Sequence, residues 1–302
     1  MIVAGLLSVI VSALFLPGII LRTKSIASGR KGPGILQPYR DIAVLLKKDS
    51  LFSNTTGPVF RMAPAVSLAA VICASFFIPL GKYGALFSFD GDFIFFSYIL
   101  AFGKFFSIIA ALDTGSSFEG MGANREAFFS MLIEPAFFIL MSTFIMATGN
   151  TSFKEIYENF IATGNHNVII FSIIGVMVLL QIALLETSRV PVDDPKTHLE
   201  LTMIHEVMIL DNCGFDKALI HITTYLKMAI FGLLIFNVTV PFNQGIVLQS
   251  AFLVLTQILF AVTIGLVESF RARNKMNKNP KYILTVSAVA WIAFAIILIM
   301  TK

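Results

Sequence analysis

Residues 168–206 read VIIFSIIGVMVLLQIALLETSRVPVDDPKTHLELTMIHE. The first 18 of these residues, 168–185, carry no charge, and an α-helix of about 20 apolar residues crosses the hydrocarbon core of a bilayer. The remaining 21 residues are rich in acids, histidine and proline. This change of character predicts a membrane-spanning helix that ends at Leu185 and is followed by a charged loop.

The apolar character of this segment recurs along the whole chain. Of the 302 residues, 57% are hydrophobic and 13% are charged, and the mean hydropathy is +0.85; soluble domains carry about 25% charged residues. The alternation that is typical of membrane β-strands is absent, so helices must satisfy the backbone hydrogen bonds in lipid. We therefore predict an all-α, polytopic membrane protein that forms a single integral membrane domain over 1–302. Its eight spans are predicted at 2–21, 63–80, 93–112, 127–148, 168–185, 218–238, 246–267 and 282–300.

Lysine and arginine are distributed unequally between the two ends of these spans. Seventeen of the 22 fall in connecting segments on one side, only Lys82, Lys154 and Lys302 fall on the other, and two lie within spans. Because cytoplasmic loops carry an excess of positive charge, both termini are predicted outside the cytoplasm, in a cell inner (plasma) membrane. The asymmetry explains the pI near 9.0 without nucleic-acid binding. The predicted cytoplasmic loops are 22–62, 113–126, 186–217 and 268–281.

An amphipathic helix is predicted within the first cytoplasmic loop. Ile35, Tyr39, Ile42 and Leu46 recur at helical spacing, and charged residues occupy the opposite face. This pattern suits a helix that lies in the membrane interface rather than across it. Two interpretations stay open: a surface helix resting in lipid headgroups, and a strut on which a partner subunit docks.

Three ionisable residues fall inside predicted spans. Lys104 and Lys227 lie near the middle of theirs, and Glu134 lies about two turns inside its span, directly before Pro135. A charge at the bilayer centre costs about 2.5–3.5 kcal/mol on insertion scales, so such residues are candidates for a functional site. A proton relay is one interpretation. The other is structural, with lysines in static ion pairs and a protonated Glu134 that supports packing.

The charged stretch after Leu185 predicts a rigid turn at the cytoplasmic mouth of the bundle. Glu186 and Arg189 are three residues apart at a helix end, so they can share a face and pair. Pro191 and Pro195 flank two aspartates and prevent a continuous helix. A second helix is predicted over 197–210, with Thr197 as its cap.

A metal site is not predicted in this stretch. Zinc proteases place two histidines four residues apart on a helix, whereas His198 and His205 are seven apart. Two helical turns separate them by about 10 Å, which is too far for bonds of about 2 Å to one ion. Cys73 and Cys213 lack the spacing of a metal knuckle or a disulfide scaffold.

Four stretches resemble one known family. ETSRVPVDDP at 186–195 resembles the Glu-x-x-Arg-x-Pro-Phe-Asp loop of the subunit-1 family of respiratory complex I. GRKGPGILQPYRDIAVLLKK at 29–48 resembles its glycine- and arginine-rich turn and amphipathic helix. LDTGSSFEGMGANREAFFSMLIEP at 112–135, and Lys104 before two phenylalanines, resemble the branch in membrane-bound [NiFe] hydrogenases, which includes formate hydrogenlyase subunit 4 and hydrogenase-4 component C. The likeness covers nearly the whole chain in order, with eight spans.

The resemblance implies roles for two sets of residues. Subunits of this family anchor a hydrophilic electron-transfer arm and couple its redox chemistry to ion movement. Val192 replaces the phenylalanine of the signature, and Lys196 and His198 stand where complex I carries further acids. These departures favour the hydrogenase-like branch over a quinone site. The implied proton path comprises Glu134, Lys104, Lys227, Arg125 and Glu186, and the implied arm-facing loop residues are Glu186, Arg189, Asp193, Asp194, Glu200 and Glu206.

Three functions stay open on the sequence. The first is a non-catalytic membrane anchor and coupling subunit of a hydrogenase-like or complex I-like redox complex, linking electron transfer to translocation of protons or sodium. The second is the quinone-site subunit of an NADH-quinone-oxidoreductase-like complex, and the third is a stand-alone ion transporter. The chain has no motif for binding iron–sulfur, flavin or nickel. The resemblance therefore places iron–sulfur clusters, and for the hydrogenase branch a NiFe centre, in hydrophilic large and small partner subunits. Antiporter-like membrane subunits and lipid are the other implied neighbours.

Overall fold

A computed structural model describes residues 2–81, 84–162, 166–194, 203–240 and 245–300. Within these residues the chain is helical, and eight helices are long and apolar enough to cross a membrane. This confirms the predicted all-α, polytopic architecture. The helices are α1 (Ile2–Ala27), α2 (Gln37–Leu45), α3 (Pro58–Ser75), α4 (Asp92–Asp113), α5 (Ser117–Thr148), α6 (Phe153–Ala162), α7 (His166–Glu186), α8 (His205–Met208), α9 (Gly214–Thr239), α10 (Ile246–Phe270) and α11 (Asn279–Met300), with a 3₁₀ turn at Met276–Lys278.

Each predicted span overlaps one long helix, but several boundaries differ. The span predicted at 63–80 is shifted, because α3 begins at Pro58 and ends at Ser75, and other helices extend beyond the apolar run. The largest extension is in α5, which begins ten residues before the predicted start at 127. Its first three turns carry Glu119, Arg125 and Glu126, and each contacts another segment. Glu119 accepts the Asp211 backbone N–H, Arg125 donates to the Met203 carbonyl, and Glu126 lies 3.5 Å from Lys104. The segment predicted as cytoplasmic loop 113–126 is therefore helical from Ser117.

The helix α6 was not predicted. It buries Phe153, Ile156, Tyr157 and Phe160, which recur at the spacing of one helical face. The buried carboxylate of Asp92, at the start of α4, holds the beginning of α6. It accepts hydrogen bonds from the Phe153 backbone N–H at 2.7 Å and from the Ser152 hydroxyl at 3.1 Å. A search for runs of spanning length overlooks a ten-residue helix of this kind.

The helix α9 lies at the centre of the bundle, where it packs against α1, α3, α7 and α10. All residues from Met228 to Val238 are buried, as expected for a helix that is apolar on all sides. Around it, α3 packs on α4, α5 on α11, and α1 on α10. The α3–α4 contact is close because Gly103 has no side chain; a Cβ there would lie 2.9 Å from the Ala70 Cβ.

The amphipathic helix α2 is confirmed, and it rests on α1 and α9. Ile42 is buried, and the Tyr39 hydroxyl donates a hydrogen bond to the Ala13 carbonyl at 2.8 Å. Burial raises the pKa of Tyr39, and the nearby Tyr225 adds to the shift. Ile35 and Leu46, predicted on the same apolar face, are exposed. The helix is therefore attached to the bundle by its central turn.

The turn after α7 is held from two directions. The Asp193 carboxylate forms an ion pair with Arg273 at 3.2 Å and accepts the His205 backbone N–H at 2.9 Å. The Pro191 carbonyl accepts the Asn274 N–H at 2.9 Å. A helix was predicted over 197–210. Residues 195–202 lie outside the described residues, residues 203 and 204 are not helical, and the described part contains the short helix α8. The Asp193 carboxylate accepts the first backbone N–H of α8, that of His205. The predicted cap, Thr197, lies outside the described residues.

Candidate functional site: a buried ion-pair cluster

Glu186 is the last residue of α7, and its carboxylate faces two lysines from other helices. Lys104 of α4 lies 2.5 Å from one carboxylate oxygen, and Lys227 of α9 lies 3.5 Å from the other. Three residues that the sequence singled out separately are thus one cluster.

Helix α5 completes the cluster with residues that the sequence analysis missed. Glu126 lies 3.5 Å from the Lys104 ammonium group, and the Ser130 hydroxyl accepts a hydrogen bond from it at 2.9 Å. The side chains of Lys104, Glu186, Lys227 and Glu126 are only 10–13% exposed. Two lysines face two glutamates, so the group is close to neutral, which is what makes its burial tolerable. The sequence could have indicated Glu126 as a member of the cluster, because Glu126, Ser130 and Glu134 recur at a helical spacing of four residues.

Two cavities flank this cluster. One of about 70 Å³ is lined by Lys104, Glu186, Glu134 and Tyr98. The other, of about 50 Å³, is lined by Glu126, Lys227 and His205 and also by Lys104 and Glu186. Each is larger than the roughly 10–15 Å³ that one water molecule needs, and each has charged side chains in a wall that is otherwise largely apolar. The Lys104–Glu186 pair therefore separates two spaces that can hold water, an arrangement suited to relaying a proton.

Glu134 and Arg125 are placed differently from the predicted buried path. Glu134 is exposed on the outside of the bundle, at the edge of the 70 Å³ cavity. Arg125 points to the segment before α8, where its guanidinium donates to the Met203 carbonyl at 3.0 Å. Among the described residues it forms no ion pair or hydrogen bond with the two lysines, and its contact with Met203 holds the start of the α8 segment.

The predicted ion pair between Glu186 and Arg189 is wrong, because Arg189 belongs to a second ion cluster. Arg189 pairs with Glu268 of α10 at 2.8 Å, and Lys24 of α1 lies 2.7 Å from the same carboxylate. The Glu268 side chain is only 2% exposed. Residues three apart share a face only while the helix continues. Here α7 ends at Glu186, and Ser188 has a φ of 53°, which turns Arg189 away from the face that carries Glu186.

The residues predicted to face a hydrophilic arm are mostly internal. Glu186 and Arg189 lie in the two clusters, and Asp193 is buried against Arg273 and α8. Asp194 is half-buried, and Glu206 lies 3.9 Å from Lys217. Glu200, together with Lys196 and His198, lies outside the described residues. Within its described residues, 186–194 and 203–213, the loop joins the bundle through ion pairs and hydrogen bonds of Glu186, Arg189 and Asp193.

Two further cavities lie beside α2. An apolar one of about 460 Å³ is lined by α1, α2, α3 and α9, including Ile42 and Tyr225. A more polar one of about 320 Å³ shares Tyr225 and is lined by Arg189, His205 and His221. Within the part of the chain that the structure describes, no group of three or more histidine, cysteine, aspartate or glutamate side chains could hold a metal ion.

Comparisons with known proteins agree with this architecture. The family model described as NADH dehydrogenase matches residues 1–300. Hydrogenase-4 component C of Escherichia coli (strain K12) is 27% identical over 286 residues, covering 92% of this chain and 87% of that protein. Formate hydrogenlyase subunit 4 of the same organism is 27% identical over 293 residues, covering 94% and 93%. A chain in the structure of the membrane-bound sulfane sulfur reductase, an archaeal respiratory membrane complex, shares the fold with a TM-score of 0.79 and 18% identity, covering 97% of this chain and 98% of that chain.

Proposed function

Because the chain belongs to the NADH dehydrogenase family, we propose that it is the membrane anchor and coupling subunit of a hydrogenase-like redox complex. In this role it links electron transfer in a hydrophilic arm to the translocation of protons or sodium ions. The observation that carries the proposal is the adjacency of the two ion clusters. Glu186 belongs to the cluster inside the bundle, and Arg189, three residues later, belongs to the one at the cytoplasmic mouth.

The geometry supports a mechanism in which the loop moves Glu186. The carboxylate is shared between Lys104 and Lys227, so a small displacement strengthens one pair and weakens the other. At an effective dielectric constant of about 20, two unit charges attract by about 4.7 kcal/mol at 3.5 Å and by about 3.3 kcal/mol at 5 Å. A shift of about 1.5 Å thus changes the interaction by about 1.4 kcal/mol, a tenfold change in an equilibrium constant. Water in the flanking cavities would supply and accept the proton.

The cytoplasmic face offers a place for a water-soluble partner. Leu51 is 78% exposed, and Leu210 and Phe215 are also exposed. They lie together, because the Leu51 N–H donates to the Cys213 sulfur at 3.1 Å. Apolar side chains exposed on a water-facing surface favour a protein interface. In the proposal the arm subunits dock here, carry the iron–sulfur clusters and any NiFe centre, and leave this chain without a cofactor.

Orientation and neighbours follow from the same proposal. The basic segments, including Arg30 and Lys31, face the cytoplasm by the positive-inside rule, which places both termini on the other side of the inner (plasma) membrane. Antiporter-like membrane subunits would continue the ion path within the bilayer.

The test is purification of a tagged chain in mild detergent, followed by reconstitution of the complex in vesicles. We expect iron–sulfur subunits and other membrane subunits to co-purify, and electron transfer to drive ion movement. Recovery of the chain as a stable monomer that transports ions by itself would support the transporter instead and contradict the proposal.

A second candidate function has one specific observation in its favour. The 460 Å³ apolar cavity and the 320 Å³ polar cavity meet at Tyr225, so together they suit an amphiphile with an apolar tail and a polar head. A quinone-site subunit would use them in this way. Photolabelling by an azido-quinone that is competed by unlabelled quinone, and lost in Ile42→Trp, would support this candidate. Labelling that is indifferent to Ile42→Trp would exclude these cavities.

A further inference from the structure

Glu134 presents an ionisable side chain to the outside of the bundle within a membrane-spanning helix. It lies seven residues inside the predicted span 127–148 of α5, which is about two turns or roughly 10 Å of helix. Neither Glu134 nor Pro135 is buried. The bundle therefore leaves a carboxyl group uncovered at a depth where lipid offers no hydrogen-bond donor.

The surface around Glu134 is aromatic and partly polar. Tyr98 is 65% exposed and Met131 is 64% exposed, and Phe102 and Phe105 are also exposed. We call the surface formed by Tyr98, Phe102, Phe105, Met131 and Glu134 the α4–α5 face. The 70 Å³ cavity, which reaches Lys104 and Glu186, has both Tyr98 and Glu134 in its wall.

Another exposed surface of the bundle has a different composition. On α10, Val254 is 57% exposed, and Leu255, Ile258 and Leu259 are also exposed. These side chains are aliphatic and uncharged, as suits contact with lipid tails. The same chain therefore carries one surface fit for lipid and another that lipid cannot satisfy.

We propose that the α4–α5 face is an interface with a second membrane-spanning subunit, whose helix places a basic or hydrogen-bond-donating side chain opposite Glu134. Charge complementarity identifies the occupant. Lipid tails offer no hydrogen-bond donor to the carboxyl group, and an ionisable side chain that faces lipid is costly. A second copy of this chain would bring another Glu134 into the same interface, and two like charges oppose each other. The inference rests on the proposed function in that the chain works among other membrane subunits.

Site-specific cross-linking in native membranes tests the interface. In a background with Cys73→Ser and Cys213→Ser, Met131→Cys and Val254→Cys are each labelled with benzophenone maleimide and photoactivated. We expect Met131→Cys to give one discrete adduct with a different membrane polypeptide, and Val254→Cys, whose parent residue is similarly exposed, to give lipid adducts. Lipid adducts at both positions, or a homodimer at Met131→Cys, would overturn the proposal.

Charge variants of Glu134 test the complementarity. Glu134→Lys should lower recovery of that polypeptide with the tagged chain by about tenfold, the effect of losing one charged hydrogen bond. Glu134→Gln, which keeps an acceptor oxygen, should retain most of it. Equal recovery of that polypeptide with glutamate, lysine and glutamine at position 134 would show that no donor of the partner faces Glu134, and would overturn this part of the proposal. If partners co-purify with the cysteine background but none cross-links at Met131→Cys, the interface fails while the proposed function stands; if none co-purifies, both fail.

Discussion

Replacing Lys104 by methionine should destabilise the protein more than the same change at Lys227. Lys104 faces Glu186 at 2.5 Å and Glu126 at 3.5 Å, whereas Lys227 faces only Glu186, at 3.5 Å. At an effective dielectric constant of about 20, the attraction that is removed is about 11 kcal/mol for Lys104 and about 5 kcal/mol for Lys227, before desolvation. Removing one partner of a buried ion pair has a net cost of about 3–5 kcal/mol. We expect Lys104→Met to lie in that range. Lys227→Met should cost about 1–3 kcal/mol, because Glu186 then still has Lys104 as a partner.

The assay is the unfolding of the purified variants in detergent, with abundance in the membrane as a second readout. Glu126→Gln combined with Lys104→Met completes a double-mutant cycle, because the two side chains contact each other. We expect Glu126→Gln to cost less in the Lys104→Met background than in the wild type. Equal destabilisation by Lys104→Met and Lys227→Met, together with additive effects in the cycle, would refute the assignment of Lys104 as the shared cation.

Other consequences of the structure can be tested in the same way. Glu134→Gln should lower ion movement in reconstituted vesicles while electron transfer and assembly survive, and Glu134→Asp should retain part of the activity; normal pumping in Glu134→Gln would remove this residue from the path. Arg189→Ala leaves Glu268 with Lys24 as its remaining ion-pair partner and should weaken assembly of the complex, and Arg189→Lys should restore part of it. Replacement of the exposed Lys278 by alanine is the control and should have no effect. Similar yields of intact complex from all three variants would contradict a role of Arg189 in assembly. Asp92→Ala removes the acceptor at the start of α6 and should destabilise the protein by about 1–3 kcal/mol, measured by proteolysis between α5 and α6, and an unchanged cleavage rate would count against it. Burial raises the pKa of Tyr39, so the Tyr39 side chain contributes fully to stability below the ordinary tyrosine pKa of about 10, and this contribution declines at higher pH. Tyr39→Phe should therefore lose less stability at alkaline pH than the wild type. Identical pH profiles of stability for the two proteins would show that Tyr39 does not cause the loss.

The two ion clusters connect features that are distant in sequence. Lys24, Arg189 and Glu268 join α1, the α7–α9 connection and α10 at one end of the bundle. Any force on residues 187–194 from a docked subunit reaches Glu186 directly, because the turn follows the end of α7 without a linker. The proposed coupling therefore needs no long path through the bundle.

The positions of the eight spans were determined by the sequence alone. Hydropathy is a local property of a run of about 20 residues, so 168–185 and the other seven runs could be found without knowing their neighbours. The amphipathic α2 followed for the same reason, from the spacing of Tyr39 and Ile42. The importance of Lys104, Lys227 and Glu186 was also visible, because a charge in or beside an apolar run is costly wherever the helix packs.

The partners of those charges were decided only by the tertiary structure. Lys104 and Glu186 are 82 residues apart, and their contact depends on which helices are adjacent and how each is rotated about its axis. The same rotation brings Glu126 to the cluster and turns Glu134 outward, although the two lie on one helix at related spacing. The direction of the turn at Ser188 likewise pairs Arg189 with Glu268 rather than with Glu186. Local pattern identifies which charges need a partner, and long-range packing determines which partner each one has.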